Sequence, residues 1–234
     1  MNEANLPEDA VITAALRELD RELPPLAPGQ EPVELNVVGG YALIIRGVRK
    51  NLSQLTDVDY IGAALPTQWQ ETIDRIGVQY GLGRGWVNHD IMLSGTTLSD
   101  MEAATGPLAF QPFETSLTHF RVNVATPETL LRLKIIAVDT ALTAVELGGE
   151  FTRARDLEDI ARFESQASGS VKTVVQAMCG EGLLLDEART TQAANLAARQ
   201  VSAANILKQL LPAADRDELF SFNTSLDDDY EPEF

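Results

Sequence analysis

The chain is poor in the residues that build disulfides and metal clusters. Its 234 residues include one cysteine, Cys179, and two histidines, His89 and His119. A single cysteine cannot form an internal disulfide, which agrees with a reducing compartment. The two histidines lie far apart in sequence and form no zinc-ligand pattern, so zinc is not expected. We interpret Cys179 as a packing residue, because no activating neighbour is evident and a free cysteine behaves as a small hydrophobe.

Long apolar runs and positive charge are also scarce. No apolar stretch approaches the ~20 residues needed to span a bilayer, and no apolar signal core follows the acidic first residues. We therefore expect no membrane partner and a cytoplasmic location. The chain has 18 Lys and Arg against 35 Asp and Glu, a formal net charge of −17. This balance argues against a general nucleic-acid coat protein, although it leaves room for a local basic cleft.

The periodicity of the remaining residues predicts an α/β (α+β) fold with a small mixed sheet and a helical C-terminal portion. Strands are predicted at 33–38, 55–61 and 116–124. Helices are predicted at about 7–22, 41–46, 66–80, 126–147 and 156–163, with two or three more between 171 and 222. Residues 81–86 are too rich in glycine for regular structure and predict a loop. Residues 88–112 fit no pattern.

Two short segments carry the strongest chemical signal. Val38-Gly39-Gly40 predicts a strand that ends in a glycine turn, and the predicted strand at 55–61 contains Asp57 and Asp59. Because side chains alternate along a strand, these two carboxylates share one face while Val58 and Tyr60 point to the core. Two acids so close repel each other unless a cation lies between them. The pattern predicts a divalent metal and a phosphate-holding turn, in which the following helix offers its positive end.

Lys134 is the second candidate. At 100° per residue it lies opposite the polar stripe of its helix, which is formed by Arg132, Asp139, Thr143 and Glu146. A lysine among apolar residues is costly unless an anion or an acid meets it. The alternative is a snorkelling lysine, whose stem packs while its amine reaches water.

Asp156 is the third candidate, and it has a simpler alternative. It could cap the next helix, with Asp159 completing a pattern like a capping box. A functional role for Asp156 requires Lys134 and the acidic strand to lie close to it in space.

Taken together, these residues resemble the nucleotidyltransferase (polymerase beta-like) superfamily. The shared pattern is hydrophobic-Gly-Gly, a short helix, then Asp-hydrophobic-Asp on a strand. The segments 125–137 and 155–160, with the glycine loop 81–88, are similar to a narrower branch that contains the AbiEii and MenT toxins. The similarity spans roughly residues 16–163. It implies a nucleotidyltransferase-like domain at 1–165, followed by a helical region at 166–223 and an acidic, flexible tail at 224–234.

The resemblance assigns expected roles residue by residue. Gly39 and Gly40 would hold phosphates, and Asp57 and Asp59 would bind Mg²⁺ and the nucleoside triphosphate. Lys134 would neutralise the phosphates, and Asp156 would act on the acceptor or orient Lys134. Thr56, beside the acid pair, and Arg46, between the two halves of the motif, are further candidates for nucleotide binding. The reaction would be an in-line phosphoryl displacement in which the metal and Lys134 stabilise developing charge.

Two departures from the family pattern are visible. The toxins usually carry a serine or threonine two positions before the first acid, where this chain has Leu55, with Thr56 one position later. Many members also carry a third metal-binding carboxylate on a later strand. The predicted strand 116–124 has none, although Glu114 precedes it.

Three readings therefore stay open. The first is an enzyme that transfers a nucleoside monophosphate to a tRNA 3′ end or a protein hydroxyl, in a toxin–antitoxin or phage-defence setting with a cognate antitoxin. The second is a catalytically inactive member that serves as a binding module or toxin–antitoxin component, which the missing carboxylate favours. The third is an ordinary α/β domain whose acids only decorate its surface. The enzyme reading requires Asp57, Asp59, Lys134 and Asp156 to meet in one cleft.

Overall fold

A computed structural model describes residues 8–49, 57–89, 98–114 and 116–210 of the chain. The chain divides into two compact units, residues 1–130 (unit 1) and 131–234 (unit 2). The division falls inside the long helix α5, Pro127–Glu146, which is earlier in the chain than the domain boundary predicted after residue 165. The predicted acidic tail, the helix end near residue 222 and Thr56 lie outside the described residues.

Unit 1 contains the whole β-sheet. Its strands are β1 (Val33–Val37), β2 (Val58–Ile61), β3 (Val87–Asn88), β4 (Phe110–Glu114) and β5 (Phe120–Ala125). Its helices are α1 (Glu8–Glu22), α2 (Gly39–Ile45), α3 (Gln70–Gln79), which follows a 3-10 turn at Thr67–Trp69, and α4 (Leu98–Thr105). Helix α4 and parts of β3 and β4 fall within residues 88–112, which fitted no pattern, and β5 begins later than predicted. The predicted α/β (α+β) class is confirmed.

The strand order is β3-β2-β1-β5-β4, and the sheet is mixed. Strand β1 runs parallel to β5 and antiparallel to β2. Strand β3 is parallel to β2, and β4 is antiparallel to β5. The turn after β1 and the acidic strand β2 therefore lie side by side, because β1 and β2 are direct neighbours.

One face of this sheet forms the core of unit 1. Leu35 and Val37 of β1 and Val58 of β2 are fully buried, as expected for alternate residues on one side of a strand. The apolar stripe of α1, which includes Leu16 and Leu19, is buried as well. His119 ties the start of β5 to α1, with Nδ1 3.1 Å from Asp20 Oδ1.

The glycine-rich segment after α3 is explained by packing. Gly77 lets Trp86 lie against α3, since a Cβ at this position would fall 2.3 Å from Trp86 Cδ1. The Trp86 indole donates a hydrogen bond from Nε1 to the Ile73 carbonyl oxygen at 2.8 Å, and Gly85 N donates to Asp74 Oδ1 at 3.0 Å. The predicted loop at residues 81–86 thus connects α3 to β3 and places Trp86 in the core.

Unit 2 is helical throughout the residues that the structure describes. Helix α5 is followed by α6 (Ala154–Gln166), α7 (Ser170–Gly180), α8 (Glu187–Ala198) and α9 (Ala203–Leu210). The start of α5 follows the predicted signal, because Thr129 N donates to the Thr126 hydroxyl at 3.3 Å. The alternative that Asp156 caps α6 is wrong: the cap residue is Arg153, and Asp156 lies within the first turn. Among the helices described, none is both long and apolar enough to cross a membrane.

Candidate functional site

Of the acid pair, Asp59 lies within β2, whereas Asp57 directly precedes the strand, which begins at Val58. Val58 and Tyr60 are 0% and 1% exposed, whereas Asp57 and Asp59 are both half-buried. Asp59 therefore lies on the face of the sheet opposite Val58 and Tyr60. Burial raises the pKa of the Tyr60 phenol, so this side chain stays neutral beside the acid pair at neutral pH.

The glycine turn is in direct contact with the second acid. Gly39 has φ +64°, and a Cβ on it would fall 2.3 Å from Asp59 Oδ2. The backbone is fixed at the same place, because Val38 N donates to the Asp59 carbonyl oxygen at 2.9 Å. Glycine is required here both by the left-handed conformation and by the approach of the carboxylate. The structure thus brings Gly39 and Asp59 together, with Gly40 next in α2.

Helix α2 itself is short. It has seven residues, and its N-cap residue Val38 makes no side-chain cap hydrogen bond. The groups that a ligand could meet at this turn are therefore the glycine backbone and the adjoining carboxylate of Asp59, and not the end of a long helix.

Arg46, a predicted nucleotide-binding residue, is engaged within unit 1. Its guanidinium donates from Nε to Ala125 O at 2.8 Å, from Nη2 to Val124 O at 2.7 Å, and from Nη1 to Gln111 Oε1 at 2.9 Å. Burial lowers its pKa. These contacts hold the end of α2 against β5, so Arg46 has a clear structural role. Nucleotide binding by Arg46 stays a prediction.

Lys134 meets acids in unit 2 rather than water. Its Nζ lies 2.5 Å from Asp156 Oδ1 and 3.3 Å from Asp159 Oδ2. The side chains are only 15%, 6% and 0% exposed, in the order Lys134, Asp156, Asp159. The snorkelling alternative is therefore wrong, because the amine is desolvated and paired with two carboxylates.

Two arginines complete this charged cluster. Arg162 Nη1 lies 2.8 Å from Asp159 Oδ1, and Arg153 Nη1 lies 3.7 Å from Asp156 Oδ2. Asp159 is thus held from both sides while fully buried. The sequence pattern predicted Asp159 only as part of a helix cap. Its position three residues after Asp156, on the same face of α6, was the available signal for a second partner of Lys134.

Two residues of the polar stripe on the other side of α5, Arg132 and Asp139, are buried and have structural roles. Arg132, 5% exposed, pairs with both oxygens of Glu181 at 2.7 and 3.1 Å, and this hydrogen bonding lowers the pKa of Glu181. Asp139, 1% exposed, accepts hydrogen bonds from Leu185 N, Asp186 N and the Thr190 hydroxyl. The stripe therefore fixes the connection from α7 to α8.

The acid pair has the donor chemistry for magnesium, which prefers oxygen ligands and often takes only one or two protein carboxylates beside substrate phosphates. Within the described part of the chain, no group of three or more His, Cys, Asp or Glu residues could hold a metal ion. The structure thus brings together Gly39 and Asp59 in unit 1, and Lys134 and Asp156 in unit 2. That all the predicted site residues meet in one cleft stays a prediction. Comparisons with known protein families, curated proteins and solved structures found no match.

Proposed function

We propose that this protein is a magnesium-dependent nucleotidyltransferase. The observation that carries the proposal is the contact between Gly39 and the Asp59 carboxylate, two residues after Asp57. A turn without side chains lets phosphate oxygens approach the backbone, and the adjoining carboxylates suit the cation that accompanies a triphosphate. The resemblance of this segment to the nucleotidyltransferase superfamily supports the same assignment.

In the proposed reaction an acceptor hydroxyl attacks the α-phosphorus of a nucleoside triphosphate. A new bond forms between the hydroxyl oxygen and the α-phosphorus, and the bond from this phosphorus to the oxygen bridging to the β-phosphate breaks. Pyrophosphate leaves, and the hydroxyl proton passes to solvent. Asp57 and Asp59 would hold Mg²⁺, which supplies neutralisation of charge on the phosphates. Gly39 and Gly40 would accommodate the phosphates. Lys134 enters as the phosphate-neutralising cation and Asp156 as the residue that orients it, a role supported by their 2.5 Å contact.

The proposed acceptor, which is the one that the resemblance implies, is a tRNA 3′ end or a protein hydroxyl. A toxin–antitoxin or phage-defence setting with a cognate antitoxin is part of the same proposal. The strongly negative net charge disfavours an extended RNA contact, so a short 3′ end is the RNA substrate that fits best.

A second candidate function is a catalytically inactive binding module of the same fold. One observation favours it: the cations assigned to phosphate binding are engaged internally, Lys134 by two carboxylates and Arg46 by backbone carbonyls. In this reading Lys134 and Asp156 stabilise unit 2 and take no part in a reaction.

Label transfer separates the two candidates. Purified protein is incubated with Mg²⁺ and nucleoside triphosphates labelled at the α- or the γ-phosphate, with total tRNA or with protein as acceptor. The enzyme reading predicts incorporation of the α-label with release of pyrophosphate, and loss of both in Asp59→Ala. Incorporation of the γ-label alone would indicate a phosphotransferase instead. Absence of turnover with every acceptor, combined with tight binding of a partner protein, would support the module.

A further inference from the structure

Asn88, the second residue of β3, lies on the same face of the unit 1 sheet as Asp59. The parallel pairing of β2 and β3 aligns Val58 with Val87 and Asp59 with Asn88. Aligned residues on neighbouring strands project to the same side, and such strands lie about 4.8 Å apart. Burial agrees with this placement, because Val58 and Val87 are 0% and 5% exposed while Asp59 and Asn88 are half-buried.

The residues on both sides of Asn88 are held by contacts of their own. Trp86, 1% exposed, is anchored to the carbonyl oxygen of Ile73. Val58 N donates to the Trp86 carbonyl oxygen at 2.5 Å, joining β3 to β2. On the other side of Asn88, the His89 ring stacks on Tyr60 with centroids 5.8 Å apart. These contacts hold the backbone of Asn88 beside Asp59.

The chemistry of an amide suits this position. Its carbonyl oxygen is a neutral ligand for hard divalent cations, and it adds no negative charge to the repulsion between Asp57 and Asp59. The predicted β5 segment contains no third acid, and the described residues contain no group of three His, Cys, Asp or Glu suited to a metal. An amide oxygen on β3 supplies a third protein ligand of a different type, from the strand that pairs directly with β2.

We propose that Asn88 binds the cation of the proposed site, giving its side-chain carbonyl oxygen to the divalent ion held by Asp57 and Asp59. This inference rests on the proposed function, because it assumes that the acid pair holds a cation. It assigns Asn88 a direct contact with the ion rather than a role in folding.

The test is the affinity of the full chain for Mn²⁺, measured by electron paramagnetic resonance and calorimetry without any turnover. The variants are Asn88→Ala, Asn88→Asp and Asp59→Asn. Asn123→Ala is the matched control, because Asn123 lies on the same sheet face two strands from β2, hydrogen-bonded to Asn36 at 3.0 Å. Thermal unfolding of each variant reports whether it is folded.

We expect Asn88→Ala to weaken Mn²⁺ binding about 10- to 100-fold, and Asn123→Ala to leave it unchanged. Asn88→Asp should bind Mn²⁺ at least as tightly as the wild type, since a carboxylate oxygen replaces the amide oxygen. A residue with a purely structural role would not give tighter cation binding when changed to Asp. If Asn88→Ala does not fold, the comparison of Asn88→Asp with the wild type decides in the same way.

The failures of the two proposals are distinguishable. Wild-type affinity in Asn88→Ala, with binding lost in Asp59→Asn, overturns the role of Asn88 and leaves the acid pair as a cation site. Equal weakening in Asn88→Ala and Asn88→Asp also overturns it, because the amide NH₂ would then be the group that matters. If the wild type and Asp59→Asn both fail to bind Mn²⁺, the proposed function itself fails.

Discussion

The contact between Gly39 and Asp59 gives the sharpest test of the site, because the chain contains a matched control. We consider Gly39→Ala beside Gly47→Ala. Both glycines have a left-handed backbone, with φ +64° and +69°. A Cβ on Gly39 meets Asp59, whereas a Cβ on Gly47 has nothing within 4 Å. The pair therefore separates the backbone cost from the clash with the carboxylate.

The magnitudes follow from these contacts. A left-handed non-glycine residue costs roughly 1–2 kcal/mol, which both variants share. In Gly39→Ala the new Cβ lies 2.3 Å from Asp59 Oδ2 and 3.2 Å from both Cβ and Cγ of Asp59. The whole Asp59 side chain must move, and such overpacking costs a further ~1–3 kcal/mol. Gly39→Ala should thus be more destabilising than Gly47→Ala, and it alone should displace the carboxylate.

Urea unfolding measures the stability of both variants, and Mn²⁺ titration measures the cation site in the folded protein. We expect Gly47→Ala to keep wild-type Mn²⁺ affinity while losing stability. Gly39→Ala should lose stability and also weaken Mn²⁺ binding about 10- to 100-fold, as displacement of a ligand typically does. Equal stability and equal Mn²⁺ affinity in the two variants would contradict this prediction, because the close approach at Gly39 would then have no consequence.

Three further predictions concern unit 2. Lys134→Met leaves two buried carboxylates without their shared cation and should lower the free energy of unfolding by about 3 kcal/mol, whereas exposed Lys172→Met should change it by less than about 0.5 kcal/mol; chemical denaturation compares them. Asp139→Ala leaves two backbone N–H groups and one hydroxyl without their acceptor, so we expect a loss of about 3 kcal/mol and faster amide hydrogen exchange at Leu185 and Asp186. Burial raises the pKa of the Cys179 thiol. Iodoacetamide should therefore modify Cys179 more slowly in the folded protein than in the urea-unfolded protein at about pH 8. The alkylation rate of the folded protein should keep rising above the ordinary thiol pKa of about 8.5.

Each of these has a contrary outcome. A Lys134→Met variant as stable as Lys172→Met would mean that the cluster around Lys134 is open to water. Unchanged exchange at the two amides in Asp139→Ala would show that the α7–α8 connection is held by other contacts. Alkylation of folded Cys179 as fast as in the unfolded chain would contradict the burial of the thiol.

The resemblance to nucleotidyltransferases predicted one site, and the structure joins two pairs of its residues, one pair within each unit. Gly39 and Asp59 are joined by a contact in unit 1, and Lys134 and Asp156 by an ion pair in unit 2. The pairing of Asp156 with Lys134 supports an orienting role, and it is equally what a stabilising cluster requires. Turnover, measured in Lys134→Met and Asp59→Ala, is what distinguishes these roles.

Local sequence was sufficient where local physics decides the structure. Thr126-Pro127-Glu128 predicted the start of α5, because a hydroxyl cap and an N-terminal proline act within a single turn. The alternation in β2 predicted which side chains enter the core, because the period of a strand is fixed by its backbone. These features depend on residues within a few positions of one another.

Tertiary structure decided what depends on distant partners. Strand β3 has only two residues and exists because it pairs with β2, so no periodicity could reveal it. Asp159 pairs with Lys134 only because the fold brings α6 beside α5. The residue predicted as part of a cap is therefore a member of a buried ion pair. Arg132 and Asp139 of α5 were visible in the sequence as polar residues, but their burial was not. Charged residues are buried only when another segment supplies their hydrogen bonds.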